Sequence, residues 1–293
     1  MTYRILVALD GSPASEAALG EVERIALGGA SVHFLHVVPM LPLTLNATSA
    51  GVMAGHDQAL AYLGRLRERL PDVRGLDLIR TGDPVDAILQ AALEFNIHLI
   101  AMGAQGRTGA AKFPGSGADR VVQGSQLPVL LGRTDRAPAQ KALRRILVPL
   151  DGSDESLTIL HAVTNLGLRT GAELVFLHVS ERALAPIPRP GSPAEAAASE
   201  DPKEKLLKLA DRLENSDVMF WQTVADGDPA AEILAHAESL DVDLIAMSTP
   251  SGGDRETTTV GAAAADVLER STRPVILQRP LARAVSPNLW KFQ

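Results

Sequence analysis

Two glycine-rich stretches hold the residues best placed for chemistry. MGAQGRTGAAKFPGS, residues 102–116, carries four glycines and ends in Gly-Ser. A loop like this between a strand and a helix presents several backbone N–H groups, and the helix N-terminus behind it adds a favourable dipole; together they suit an anion such as phosphate. MSTPSGGDRETTTVGA, residues 247–262, stands in a matching setting with the pattern partly dismantled. The competing reading is that such segments only turn the chain. A third stretch, ILVALDGS at residues 5–12, places the Asp10 carboxylate in an Asp-Gly-Ser segment after an apolar run, where it can shape a turn or accept a hydrogen bond from a ligand.

Other chemistries find no frame. Cysteine is absent, which removes disulfides, thiolate metal sites and a cysteine nucleophile. Gly109–Lys112 lacks the spacing of a Walker loop, Asp-Gly-Ser is not a dinucleotide fingerprint, and neither a G-x-S-x-G elbow nor an H-E-x-x-H helix occurs. No general base is positioned beside a nucleophile, so strong catalysis is not expected. His36 and His178 recur at matched strand positions and read as core packing rather than metal ligation. Arg107 and Lys112 read as solvated, though either can neutralise phosphate, and the Arg65–Arg69 run reads as an exposed helix face. A net charge of −7 and 3% aromatic residues argue against a nucleic-acid partner. No apolar run reaches the length of a membrane span and MTYRILVALD lacks the layout of a signal peptide, so the expected location is the cytoplasm.

The elements that must position these residues are written twice. RILVALDGS (4–12) recurs as RILVPLDGS (145–153), an offset of 141; FLHV recurs at 142, GDP and LIAM at 145, and LPVLL (127–131) answers RPVIL (273–277) at 146. Order is kept and the offset only creeps upward, the mark of a tandem duplication. The expected division is a first unit over 1–136, a second over 140–280 and a tail over 281–293, with RTDRAPAQKAL as the linker. Within a unit, short apolar runs at Ile5–Leu9, Val32–Val38, Leu76–Arg80, Ile97–Met102 and Pro128–Leu131 read as buried strands. Helices are expected between them: one capped by Ser12 with Pro13 in its first turn, a charged one around Leu60–Leu70, one opened by Pro84 with Val85, Ile88, Leu89, Ala92 and Leu93 on one face, and one after Gly117. In the second unit Ala230, Ile233, Leu234 and Ala237 form the matching face. Alternation of β and α implies an α/β fold, a parallel open sheet with helices on both faces, whose ligands bind beyond the carboxyl ends of the strands where strand order reverses.

ILVALDGS, the strand-ending HVV, the GDP before a helix and MGAQGRTG…GS…LPVLL together resemble the universal stress protein family, and the resemblance covers both halves. It implies five parallel strands per unit and, in the nucleotide-binding branch, ATP held by G-x-x-G, nine residues, then G-S or G-T, with Mg2+ accompanying the phosphates. Here Gly103 and Gly106 supply the first pair, but only eight residues separate Gly106 from Gly115-Ser116. In the second unit the spacing is nine, but Ser248 and Ser251 replace the glycines and Ala262 follows Gly261. The resemblance places Asp10 at the ribose, Val37 beside the adenine, and Ala8, Met102, Gly103, Gly106, Gly115, Ser116 and Gly117 around the nucleotide; Asp151, Val179 and Gly261 are the counterparts. Because the first unit keeps all three glycines and the hydroxyl, it is the better site. The expected function is a stress-response protein regulated by ATP or another adenine nucleotide; the rivals are a nucleotide-free interaction scaffold and a slow ATPase. The resemblance also implies that the last strands of the two units pair; a further symmetric homodimer is expected only as the commonest closed oligomer.

Overall fold

The computed structural model describes residues 2–39, 49–104, 116–133, 142–151, 153, 155–180, 218–249 and 261–280. In the first unit β1 (Arg4–Leu9), β2 (Ser31–Val38), β3 (Asp77–Thr81), β4 (Leu99–Gly103) and β5 (Val129–Gly132) alternate with α1 (Leu19–Ala26), α2 (Ser49–Arg69), α3 (Pro84–Glu94) and α4 (Gly117–Gly124). The second unit contributes β6 (Arg145–Leu150), α5 (Leu160–Thr170), β7 (Glu173–Ser180), β8 (Phe220–Asp226), α6 (Pro229–Ser239), β9 (Leu244–Ser248), α7 (Ala262–Arg270) and β10 (Val275–Gln278). The ten strands form one sheet in the order β3-β2-β1-β4-β5-β10-β9-β6-β7-β8. All neighbours are parallel except β5 and β10, which meet antiparallel at the centre.

That central ladder has a telling register. Leu130 pairs with Ile276, its own counterpart one repeat later, and Leu131 and Val129 pair with Val275 and Leu277. Equivalent residues facing each other place a pseudo-two-fold axis through the seam. Pairing buries both last strands in mid-sheet, leaving β3 and β8 as the edges. Each apolar layer is continuous across the seam: Val7, Phe34, Leu130, Val148, Phe176 and Ile276 pack on one face, and Leu6, Leu35, Leu131, Leu147, Val175 and Leu277 on the other. Arginines reinforce it symmetrically. Arg133 donates to the Leu268 carbonyl in the last turn of α7 at 2.7 Å, and Arg279, one repeat on, donates to the Gln123 carbonyl in the last turn of α4. Cations there also complement the helix dipoles.

Several local expectations are corrected. Ser12 caps the turn ahead of α1 rather than α1 itself: its hydroxyl oxygen accepts from the Ser15 N–H at 3.2 Å, and Pro13 lies in that turn. The Ser12 hydroxyl is turned back onto Asp10, the chain turns through residues 13 and 14, and a 3-10 turn (Ser15–Ala18) precedes α1. Leu93 is 80% exposed, and Ala87 and Ala91 take the inner face of α3 with Val85, Ile88 and Ala92. This helix is apolar on most sides, so periodicity alone allowed two phases. Arg67 is not on an exposed face: its guanidinium lies 4.1 Å over the Phe34 ring, pairs with Asp77 at 2.8 Å and donates to the carbonyls of Val32, Val73 and Leu76. It clasps the edge strand β3 to α2. The ends of the linker are anchored as well, Arg133 by its bond to α7 and Leu143 by burial.

The recurrent Gly-Asp-Pro now has a mechanical reason. Asp83 caps α3 by accepting from the Val85 and Asp86 N–H groups, at 2.9 and 3.2 Å, and Pro84 fills the first helical position. Gly82 takes φ 137°, which a side chain would resist. Asp228 does the same for α6 through the Ala231 N–H.

Two histidines, His33 buried and His98 half-buried, are expected to make the fold acid-sensitive. His33, under Phe95, is pushed below the usual histidine range by burial first and then by Arg4 and Arg67; His98 is lowered by burial first and then by Arg4, Arg169 and His161. Folded values below the unfolded value mean that the unfolded chain binds more protons as pH falls through about 6.5. Stability is therefore full above that point and declines below it. The thermal midpoint should fall between pH 7 and pH 5, and His33→Phe should flatten the slope; an equal slope in wild type and variant would remove His33 from the account.

Candidate nucleotide site at the strand-order reversal

Strand order reverses between β1 and β4, so the ends of these two strands flank a natural crevice. Asp10 directly follows β1 and Gly103 closes β4, with Val7 paired to Ala101 just below. Val37 lies at the end of β2, which is hydrogen-bonded to β1 with Ala8 opposite Leu35. Ala8 and Val37 are buried, Met102 is half-buried, and Asp10 is half-exposed at the rim. Ser116 and Gly117 begin α4. The fold thus brings Ala8, Asp10, Val37, Met102, Gly103, Ser116 and Gly117 to the carboxyl-terminal side of the sheet, while Gly106, Gly115, Arg107 and Lys112 lie outside the described residues.

Asp10 is held by its own turn. Its Oδ1 accepts from the Ser12 N–H at 2.9 Å and the Ser12 hydroxyl at 2.6 Å, while its N–H donates to Ser15 Oγ at 3.2 Å. Gly11 permits the turn with φ 83°. Ser15 is the residue that sequence reasoning missed; the signal was there, since Ser15 recurs as Ser156 at the same offset as Asp10 and Asp151. The second unit copies the network: Asp151 Oδ1 accepts from the Ser153 N–H at 2.8 Å and hydroxyl at 2.6 Å. Burial pushes the Asp151 carboxyl up, but the bonds from Ser153 and Ser156 outweigh it and hold the group below its ordinary value.

At the start of α4 the Ser116 hydroxyl oxygen accepts from the Asp119 N–H at 3.1 Å. That leaves its proton to give, so the side chain can cap the helix and donate to an anion at once. Among the described residues a Cβ placed on Gly117 would meet nothing within 4 Å, while Ser116 beside it is buried. The residues present fit an anionic ligand. In the second unit Gly261 caps α7 without any side-chain bond.

Gly103 has a second reason for being glycine. A Cβ there would sit 2.0 Å from the Ala14 carbonyl oxygen, and one on Gly132 would sit 2.3 Å from the Ala18 nitrogen. The segment carrying the Asp10 turn lies flat on the ends of β4 and β5. At the equivalent of Gly103, Ser248 instead donates from Oγ to the Ser156 carbonyl at 3.3 Å, a contact that only a side chain can make. The replaced glycine in the second unit is therefore accommodated by a changed contact between strand and turn.

Among the described residues no cluster of three or more His, Cys, Asp or Glu is arranged to hold an ion. His178 Nδ1 donates to the Leu150 carbonyl at 3.0 Å, and His36 meets the Tyr62 ring edge-on at 5.7 Å. Tyr62 in turn donates to Glu16 at 3.0 Å, and Glu16 pairs with Arg69. Burial of Tyr62 and the neighbouring Glu16 raise its pKa. Among the described residues no helix is long and apolar enough to cross a membrane.

The sequence pattern of the Universal stress protein family matches the chain twice, over residues 1–133 and 142–279. The chain belongs to the universal stress protein family. It is a tandem member, with two units in one polypeptide and the parallel α/β architecture of that family. Universal stress protein YxiE of Bacillus subtilis is 30% identical over 145 residues, covering 46% of this chain and 98% of its own. Universal stress protein MJ0531 of Methanocaldococcus jannaschii is 29% identical over 141 residues, 46% of this chain and 81% of its own. A solved universal stress protein from Archaeoglobus fulgidus superposes with TM-score 0.73 at 22% identity, over 94% of this chain and 98% of that one. The two-unit fold therefore has a full-length counterpart.

Proposed function

We propose that this universal stress protein binds ATP or another adenine nucleotide in its first unit and acts as a nucleotide-dependent regulator in a stress response. The observation that carries this reading is the Ser116 hydroxyl, with a proton to donate, at the N-terminus of α4 on the same side of the sheet as Asp10. Asp10, Ala8, Val37 and Met102 would receive the nucleoside; Gly103, Ser116 and Gly117, with Gly106 and Gly115, would receive the phosphates, and Mg2+ would offset their charge. Catalysis is not part of the proposal.

Titration calorimetry tests it. One equivalent of ATP should bind per chain. Ser116→Ala should weaken binding by roughly 1.5–3 kcal/mol through loss of a bond to a charged group. Asp10→Ala should weaken both adenosine and ATP. Because Ser116 also caps α4, melting of the variant without nucleotide separates a lost cap, about 0.5–2 kcal/mol, from lost binding. Equal affinity in all three proteins would dismiss the site. The nucleotide-free scaffold draws on a specific fact: Asp10 Oδ1 and Ser116 Oγ are both already bonded within the chain. An absence of heat with ATP would favour it.

A further inference from the structure

The helix that carries Ser116 at its N-terminus is anchored at its other end by the second unit. Arg279, just past β10, donates from its guanidinium to the Gln123 carbonyl in the last turn of α4. Gln278, which closes β10, reaches the Gln126 carbonyl just beyond α4 from its Nε2 at 3.4 Å. Both residues continue the strand that pairs with β5, so the seam between the units also holds α4.

From that anchor a continuous line of hydrogen bonds runs up the helix. The Gln123 side chain donates from Nε2 to Asp119 Oδ1 at 2.9 Å, and the Asp119 N–H donates to Ser116 Oγ at 3.1 Å. Asp119 and Ser116 are each 5% exposed, so water competes little for these bonds. The helix has eight residues and is about 12 Å long, little more than two turns. A surface charge acting over that distance is largely screened at physiological salt. What Arg279 can deliver to Ser116 is therefore orientation rather than charge.

The second unit has the matching arginine and lacks the line. Arg133 bonds the Leu268 carbonyl in α7. At the offset of 146, however, the positions of Ser116, Asp119 and Gln123 hold Ala262, Ala265 and Glu269. Neither alanine side chain can give or take a hydrogen bond, and α7 starts without a side-chain cap. Joining the units needs only the two arginines. The line to a hydroxyl exists in one direction alone, from the second unit to the first.

Resting on the nucleotide reading above, we propose that Arg279 is a positioning residue for Ser116. By fixing the far end of α4, the second unit holds the hydroxyl where a phosphate is received, and so sets the phosphate affinity of the first unit. The nucleoside end, at Asp10 and Val37, is outside its reach.

Full-length R279Q, R279K and R133Q test this with two measurements. In titration calorimetry R279Q should weaken ATP roughly three- to tenfold, the scale of one hydrogen bond, and leave adenosine unchanged. R279K keeps a donor for the carbonyl and should recover most of the ATP affinity. R133Q loses the corresponding bond at the helix without the line. It should keep the wild-type ratio of ATP to adenosine affinity even where its thermal midpoint falls as far as that of R279Q. The second measurement needs no nucleotide. Hydrogen exchange at the Asp119 N–H, the group bonded to Ser116, should quicken about threefold or more in R279Q and not in R133Q. Absence of heat with ATP in every protein, wild type included, would remove the nucleotide reading, while exchange at Asp119 would still decide whether Arg279 holds Ser116. Unchanged exchange in R279Q, equal losses for ATP and adenosine, or the same altered ratio in R133Q overturns the proposal.

Discussion

Leu130→Asp should destabilise the chain by about 3–5 kcal/mol, the range for an uncompensated buried charge. Leu130 is fully buried, faces Ile276 across the seam and belongs to the apolar layer shared by both units. A carboxylate there has no cation and no donor, so it must either stay charged in hydrocarbon or take up a proton. The control is Leu93→Asp, on the solvent side of α3, where the change should stay within about 0.5 kcal/mol. Denaturant titration of both reads the contrast directly. If the two midpoints coincide, the central ladder does not hold the units together.

Gly103→Ala is the second large effect, and it links stability to the site. The added methyl would lie 2.0 Å from the Ala14 oxygen and 2.9 Å from the Ala14 carbonyl carbon. Backbone, unlike the tip of a flexible side chain, cannot step aside cheaply, so the 3-10 turn must lift away from β4. Overpacking of this kind costs roughly 1–3 kcal/mol and occasionally more. Lifting the turn would also move Ser15, whose hydroxyl receives the Asp10 N–H. Nucleotide affinity should therefore fall further than stability alone explains, measured well below the variant's lowered thermal midpoint, where it is still folded. The counterpart Ser248→Ala removes only one 3.3 Å hydroxyl bond and should cost about 0.5–1.5 kcal/mol. Alanine tolerated equally at both positions would mean that the turn is not pressed on the strand.

How much of this was legible beforehand follows from the range of the interactions. Strands announced themselves because parallel strands buried on both faces are continuous apolar runs such as ILVAL and FLHV. Gly-Asp-Pro announced a helix start because cap, first-turn proline and left-handed glycine are all local preferences. The creeping offset between repeats disclosed the two units without any structure. Asp10, Gly103 and Ser116 were singled out by the family resemblance, and all three stand at the carboxyl-terminal side of the sheet.

What sequence did not disclose depends on which groups meet after the chain has closed. Arg67 looked like one of several surface arginines until Phe34, Asp77 and three carbonyls surrounded it. Leu93 fitted the helical period as well as Ala91 did, and only the sheet beneath α3 selected the phase. Gly103 read as a phosphate residue, yet its nearest neighbour is the Ala14 carbonyl, from another turn of the chain. Arg24 and Asp243 belong to different repeats and share no motif, so nothing local marks them as partners. Periodicity, caps and turns are written in the sequence because they depend on neighbours a few residues away; contacts such as Arg67 on Phe34, Gly103 on Ala14 and Arg24 with Asp243 exist only where the closed sheet brings distant residues together.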